Sequence, residues 1–314
     1  MNDFVIIPDS SCDLNSELRE RCGIPDYLKG VLYYPDGREA KSDLDWDLMT
    51  PEQYYSSMKE SRTTYRTATC TIGETVETFE KYLAQGKDVL SVSLSSALSA
   101  CYQNALVAAK QLKDKYPGRR VVCVDSLRYS TSLALLIMLA TKKKEEGQSI
   151  DEVAAWMNEN RYRIHQMGWM DDLFFLCKTG RVSNVKALFG TLIGVSPMAD
   201  FNREGLSEVL GKAKGKRSAV DATIAYMERT ITEPKEQTIF IAHSNRPDWA
   251  ETLRGRVQQA FEPKEIILNP VGLACGATVG PGLCAAFYFG SPTSEGLVNE
   301  KAIMTEILSQ VKKG

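Results

Sequence analysis

The sequence has few of the groups that redox enzymes, metalloproteins, membrane proteins and nucleic-acid binders rely on. It contains two histidines, His165 and His243, far apart along the chain. Its cysteines, at 12, 22, 70, 101, 123, 177, 275 and 284, form no C-x-x-C pair and no cluster with either histidine, so no metal cofactor is expected. Neither sign of charge dominates: 38 basic against 40 acidic residues leave a net charge of −2. That balance argues against a nucleic-acid or anionic-membrane footprint, and the basic runs 142–144 and 212–217 read as solvated faces. No stretch approaches the roughly 18 uninterrupted apolar residues of a membrane span. The start, "MNDFVIIPDSSCDL", lacks a cationic leader with a long apolar core. The expectation is a cytoplasmic protein without stable membrane insertion, whose thiols serve as small buried hydrophobes. A G-x-S-x-G elbow, a phosphate-binding G-x-x-x-x-G-K-[ST] and a G-x-G-x-x-G after the first strand are also missing.

What is present is an ordinary globular composition, 43% hydrophobic and 25% charged, over 314 residues, long enough for two domains. "FVIIP" reads as a buried strand, followed by a polar turn in which Asp13 or Ser11 would cap a helix near Leu14. "VLYYPDGREA" reads as a hairpin, and Thr50 with Pro51 as a helix start. From residue 72 helices alternate with the strands "DVLSVSL" and "RVVCVD", ending in an apolar helix over 130–144. This alternation predicts a parallel sheet of βαβ units. After a helix near 150–162, "LFFLCKTGRVS" reads as apolar strand around a tight turn. The remaining strands, paired across helices and around the turn 202–205, predict a mixed or antiparallel sheet flanked by helices. The expected fold is therefore α/β in two domains, 1–160 and 161–314.

Hydroxyl groups concentrate at three strand-to-helix joints. "LSSALSA" carries Ser95, Ser96 and Ser99, "RTATCT" carries Thr67, Thr69 and Thr71, and "PDSSCDL" opens the chain. In a parallel sheet such joints lie at the carboxyl ends of strands, where first-turn N–H groups lack partners and anions bind. A single serine there is most simply a helix cap. A cluster also provides donors for one anionic group.

Taken in order, these stretches resemble the DegV family over nearly the whole chain. "PDSSCDL" is similar to that family's D-S-x-x-D-L, "RTATCT" to K-T-S-Q-P-S, and "LSSALSACYQNA" to S-S-x-L-S-G-T-Y-Q-S-A. "VDSLRYS", "LFFLCKTGRVS", "IGVSPM", "IAHSN" and "GATVGPG" complete the series. The resemblance implies a protein that buries the chain of a long-chain fatty acid, holds its carboxylate near the domain junction, and presents it to a separate fatty acid kinase. It implies no catalysis by this chain and no cofactor beyond the lipid. By motif position Thr67 matches a carboxylate-contacting threonine, Ser95 and Ser96 bracket the contacting serine, and Arg181 matches an arginine that works with the kinase. The family's H-T-G-P-G is replaced by Thr278-Val279-Gly280-Pro281-Gly282, so Thr278 stands where a histidine is usual.

Tail burial would supply most of the affinity, at roughly 0.8 kcal/mol per CH₂. Candidate apolar stretches are 134–140, 187–195 and 283–290. His243 is not promoted to replace the missing histidine, and His165 is expected at a surface or helix end. Two other classes stay open: a hydrolase or phosphoryl-transfer enzyme using the hydroxyl-rich crevice, and an orphan lipid carrier without a kinase.

Overall fold

The computed structural model describes residues 3–61, 63–171, 173–181 and 194–311. The chain divides into two compact units. The first holds 3–48, 65–161 and 272–275, and the second holds 49–61, 63–64, the described part of 162–271, and 276–311. A cut at residue 160 therefore misses one exchange each way: the helix after Thr50 belongs to the second unit, and 272–275 to the first.

The first unit is built on a parallel sheet of β1 (Phe4–Pro8), β5 (Asp88–Ser93) and β6 (Val121–Asp125), in that spatial order. β1 and β5 are buried at every position, so both faces of these strands are covered and their sequences are nearly continuous apolar runs. Beside this sheet, β2 (Val31–Tyr33) pairs antiparallel with β3 (Glu39–Lys41) and β4 (Arg66–Ala68). The β2–β3 hairpin turns where expected, with Gly37 at φ +90°. α1 (Ser16–Arg21) starts from Asn15, whose side chain accepts from Leu18 N–H at 2.9 Å. Asn15 thus takes the capping role expected of Asp13 or Ser11. α3 (Ile72–Leu83) starts with a capping box between Thr71 and Glu74. α4 (Cys101–Lys113), α5 (Thr131–Glu145) and α6 (Ile150–Asn160) complete the unit. α5 is buried at every position from Thr131 to Met138, as a helix apolar on all faces must be.

The second unit carries a six-stranded mixed sheet. Its members are β7 (Ile164–Trp169), β8 (Val195–Phe201), β9 (Ser207–Lys214), β10 (Thr238–His243), β11 (Glu265–Pro270) and β12 (Cys284–Phe289). The spatial order is β11-β10-β12-β7-β8-β9, with only β10 and β11 parallel. α8 (Gly215–Thr230), α9 (Pro247–Phe261) and α11 (Val298–Val311) pack on it around Trp169, Met198, Tyr226 and Leu253. α2 (Pro51–Ser61) begins with Thr50 and Gln53 exchanging side-chain-to-backbone hydrogen bonds, as its Thr-Pro start predicts. α10 (Leu273–Val279) starts within 272–275 of the first unit and continues into the second.

Three expectations are corrected here. "LFFLCKT" forms α7 (Phe174–Thr179), a short helix rather than a strand. Gly180, at φ +69°, ends it as a left-handed C-cap, so Arg181 follows a helix and not a strand-to-strand turn. β7, a central strand, was not anticipated. His165 lies in β7, fully buried, instead of at a surface or helix end. The apolar stretch 187–195 lies outside the described residues except for Gly194 and Val195.

Candidate functional site

In the first unit the carboxyl ends of the three parallel strands feed three polar loops that are stitched together. After β1, Asp9 turns inward: its Oδ1 accepts from Ser11 N–H at 2.9 Å and its Oδ2 from Leu94 N–H at 2.8 Å, just past β5. After β5, Ser95 N–H donates to the Arg128 carbonyl at 2.9 Å, and Ser96 N–H to Asp125 Oδ1 at 3.1 Å. After β6, Ser126 N–H donates to the Ser93 carbonyl at 3.1 Å, and Ser130 N–H to the Ser11 carbonyl at 2.8 Å. The Ser130 hydroxyl donates to Asp13 Oδ2. Each loop thereby fixes the other two.

This stitching holds backbone that is unfavourable by itself. Asp13, Leu127 and Ser130 have φ of 51°, 50° and 55°, in the left-handed region that non-glycine residues avoid. Conformations of this kind cost roughly 1–3 kcal/mol each and persist where surrounding bonds over-determine them. Such strain concentrates at binding sites.

The electrostatics are equally uneven. Burial pushes the Asp13 carboxyl up to about 7, against the lowering effect of the Ser130 hydroxyl and the Gly272 N–H. Burial also raises Asp9, opposed by the Leu94 and Ser11 N–H groups. The Cys12, Cys101 and Cys275 thiols are driven upward by the same desolvation, so none is poised as a thiolate nucleophile. Arg128 is completely buried among these loops, with one guanidinium N–H on the Leu127 carbonyl at 2.7 Å.

The expected site residues are placed as follows. Ser95 is fully buried, and its hydroxyl oxygen accepts from Ala97 N–H at 3.3 Å, which leaves its own proton to donate. Ser96, next to it, is exposed. Both sit on the loop 94–100 and not in the first turn of α4, which begins at Cys101 without a side-chain cap. Ser99 accepts from Cys101 N–H at 3.4 Å and so serves the helix start. Thr67 is exposed in β4, paired opposite Leu32. Two ties bring its segment to the serine loop and the first loop. Asn104 in α4 donates to Thr69 Oγ1 and to the Cys70 carbonyl, both at 3.0 Å. Gly30, whose N–H donates to Ser10 Oγ at 3.2 Å, lies so close to Ala68 that a Cβ would stand 2.6 Å from its carbonyl oxygen.

The other two expected residues belong to the second unit. Thr278 is half-buried near the end of α10, and Gly280 beyond it packs on Phe175 of α7 so tightly that a Cβ would be 2.2 Å from the ring. Arg181 is exposed and donates to the Thr179 carbonyl.

The sequence model of the family described as "Uncharacterised protein, DegV family" matches residues 3–291. A DegV domain-containing protein of Clostridium perfringens is 33% identical over 92% of this chain and 98% of its own. The chain belongs to the DegV family. Among solved structures, a DegV family protein from Thermus thermophilus described for its fatty acid binding superposes with a TM-score of 0.82 at 24% identity, covering 92% of this chain and 100% of that one. The Streptococcus pneumoniae fatty acid kinase B3 protein, loaded with linoleic acid, superposes with a TM-score of 0.76 at 18% identity, covering 91% and 99%. At these identities the structures establish the shared DegV fold. The DegV-like segments "PDSSCDL", "LSSALSA" and "VDSLRYS" are the three loops that are stitched together at the carboxyl ends of β1, β5 and β6.

Arg128 and Ser130 are not singled out from sequence, and Asp13 is read there only as a helix cap, although all three lie in or beside quoted motifs. The signal for Arg128 and Asp13 is a charge inside otherwise apolar or hydroxylic segments. Among the described residues no group of three or more His, Cys, Asp or Glu side chains gathers as a metal would require. No described helix is long and apolar enough to cross a membrane. An open depression of about 710 Å³ between α4 and the loop 117–121 lies at the opposite end of the parallel strands and includes none of the expected residues.

Proposed function

We propose that this chain binds a long-chain fatty acid, with the carboxylate received by hydroxyl and N–H donors of the first unit. Ser95 and Ser96 are the central donors, with Thr67 on the neighbouring segment. The observation that carries this reading is the meeting of three hydroxyl-rich loops at the carboxyl ends of β1, β5 and β6, held in strained conformations, with the Ser95 hydroxyl oxygen accepting from Ala97 N–H and its proton left to donate. A carboxylate that accepts several hydrogen bonds stays ionised without a dedicated cation. Solved relatives of the same fold described as carrying fatty acids support the ligand class.

The finer proposal is presentation. Arg181, exposed at the end of α7, offers a guanidinium suited to a bidentate contact with a phosphate or a partner's carboxylate. Thr278 in the position of the usual histidine favours a second reading, a lipid carrier without kinase coupling, because threonine cannot supply a positive charge near the head group. An enzyme reading lacks support from the histidines. His165 is held by the Asp200 carboxylate at 2.6 Å and the Ser291 carbonyl at 2.8 Å, and the His243 Nδ1 accepts from Arg246 N–H at 3.3 Å.

Native mass spectrometry of the purified protein, followed by lipid extraction, tests the ligand class. A bound acid of 14 to 18 carbons is expected. Affinity for added acids should rise about fourfold per methylene until the apolar space is filled. Preference for short or polar carboxylates, or hydrolysis of esters by the isolated chain, would replace this reading with the enzyme class.

A further inference from the structure

A second concentration of charge lies in the second unit, at Asp171, Lys216 and Arg246. Asp171 follows β7, Lys216 is the second residue of α8, and Arg246 immediately precedes α9. The Asp171 carboxylate receives Arg246 through Nε, at 2.6 Å, and through a terminal nitrogen, while its other oxygen pairs with Lys216. Lys216 Nζ also stands 3.4 Å from the Ser196 hydroxyl. Asp171 is held in place through its backbone: its N–H donates to the Gly282 carbonyl at 3.1 Å, and a Cβ on Gly282, at φ +112°, would come within 2.8 Å of the Asp171 side chain.

One carboxylate faces two cations, so the triad carries one uncompensated positive charge. Burial first, and the neighbouring Arg246 charge second, push the Lys216 ammonium down to about 8. Burial also lowers Arg246. The three side chains nevertheless keep 22–27% of their surface in water, so a solute can reach them. Lys214, at the N-cap of α8, makes no side-chain capping bond, which leaves the positive end of a 16-residue helix on the same side as Lys216.

We propose that Lys216, Arg246 and the start of α8 bind the dianionic phosphate of a phosphate monoester, with Asp171 as the internal group that the phosphate displaces. The number of charges selects the ligand. A monoanionic carboxylate would only replace Asp171 and gain nothing, whereas a dianion neutralises both cations at once. A tetrahedral group also presents separate oxygens to the guanidinium fork, the ammonium and the Ser196 hydroxyl. This site is independent of fatty-acid binding in the first unit.

Titration with inorganic phosphate at low ionic strength, followed by calorimetry and by ³¹P line broadening, tests the proposal. Saturable binding is expected, weakened at least tenfold in Lys216→Gln and in Arg246→Gln, and strengthened severalfold in Asp171→Asn, with each variant's fold checked by circular dichroism. A purely structural ion-pair cluster gives the opposite result for Asp171→Asn: no gain in phosphate affinity. Dodecyl phosphate in a parallel titration identifies the source of the group. Binding tighter than inorganic phosphate, and lost in Lys216→Gln, points to a lipid head group, and equal binding points to free phosphate. The absence of saturable binding in both titrations, or binding unaffected by Lys216→Gln, overturns the site. Palmitate affinity is measured on the same variants and is expected to be unchanged, so failure of this site and failure of the fatty-acid reading are separately visible.

Discussion

Each unit buries an aspartate beside hydroxyl groups, and the two are handled in opposite ways. Asp200, the penultimate residue of β8, accepts through Oδ1 from the N–H groups of Gln166 and Phe201 at 3.0 and 2.7 Å. Its Oδ2 takes the Tyr226 hydroxyl at 2.9 Å and His165 at 2.6 Å, with the His165 ring stacked 5.2 Å from Tyr288. The backbone there is β-strand paired with β9, just past a β-bulge between Met198 and Ala199, and each oxygen has two partners. Asp13 sits on a loop at φ 51°, receives the Ser130 hydroxyl and the Gly272 N–H, and has its carboxyl pushed up to about 7. Polar burial by itself therefore does not mark a site. Burial that is incompletely offset, on strained backbone at the carboxyl ends of parallel strands, does.

The sharpest way to break this contrast is to remove the satisfied acid. Asp200→Ala leaves two backbone N–H groups, the Tyr226 hydroxyl and His165 buried without their acceptor, and should cost about 3–5 kcal/mol of stability. Urea unfolding measures it, and fatty-acid affinity of the remaining folded protein should be unchanged. A loss below about 1 kcal/mol, the size of an ordinary surface change, would show that the network does not hold the sheet together.

Asp13→Asn should do the reverse. With the folded carboxyl raised from 3.8 to about 7, the folded state keeps a proton that the unfolded chain has released. The stability contributed is present below pH 4 and is lost as pH rises through 7. Asparagine removes that dependence and tolerates a positive φ, so the variant should gain on the order of 3 kcal/mol at pH 8 and little at pH 4. Unfolding midpoints at the two pH values measure the difference. Fatty-acid affinity should fall, as expected where a binding site is maintained at the expense of stability. Equal gains at both pH values would mean that Asp13 does not titrate as described.

The smallest effect on binding is expected at Arg181. Arg181→Ala should leave palmitate affinity within about twofold, a few tenths of a kcal/mol. Acyl-phosphate formation in a reconstituted reaction with a cognate fatty acid kinase should drop severalfold or more. Parallel loss of lipid binding would place Arg181 among the residues that hold the lipid.

Much of the fold was legible because several segments signal structure locally. The hairpin of "VLYYPDGREA", the Thr50-Pro51 helix start and the apolar helix near 130–144 fall as read. β7 escaped because "IHQMGW" neither alternates nor favours strand by propensity. It is a strand because it is buried on both faces between β12 and β8, where Gly168 admits β12 so closely that a Cβ would lie 2.1 Å from the Cys284 carbonyl oxygen. α7 reads as strand in the sequence because a six-residue apolar run carries no usable period. His165 was misplaced for a related reason: its environment is made by Asp200, Tyr226 and Tyr288, residues distant in sequence. The hydroxyls of these loops are visible in the sequence as a composition bias. Arg128 and the strained Asp13–Ser130 pair become recognisable only once three loops from separate parts of the chain are brought together.

In the proposed function the hydroxyl-rich loops of the first unit receive the fatty-acid carboxylate. Calorimetric titration of delipidated protein with palmitate, comparing the native sequence with the Ser96→Ala, Thr67→Val double variant, tests it most directly. Each lost charge-assisted hydrogen bond should cost about 1.5–3 kcal/mol, so the double variant should bind at least a hundredfold more weakly with an unchanged unfolding midpoint. Palmitate affinity that is the same in both proteins would contradict the account and move the carboxylate away from these loops.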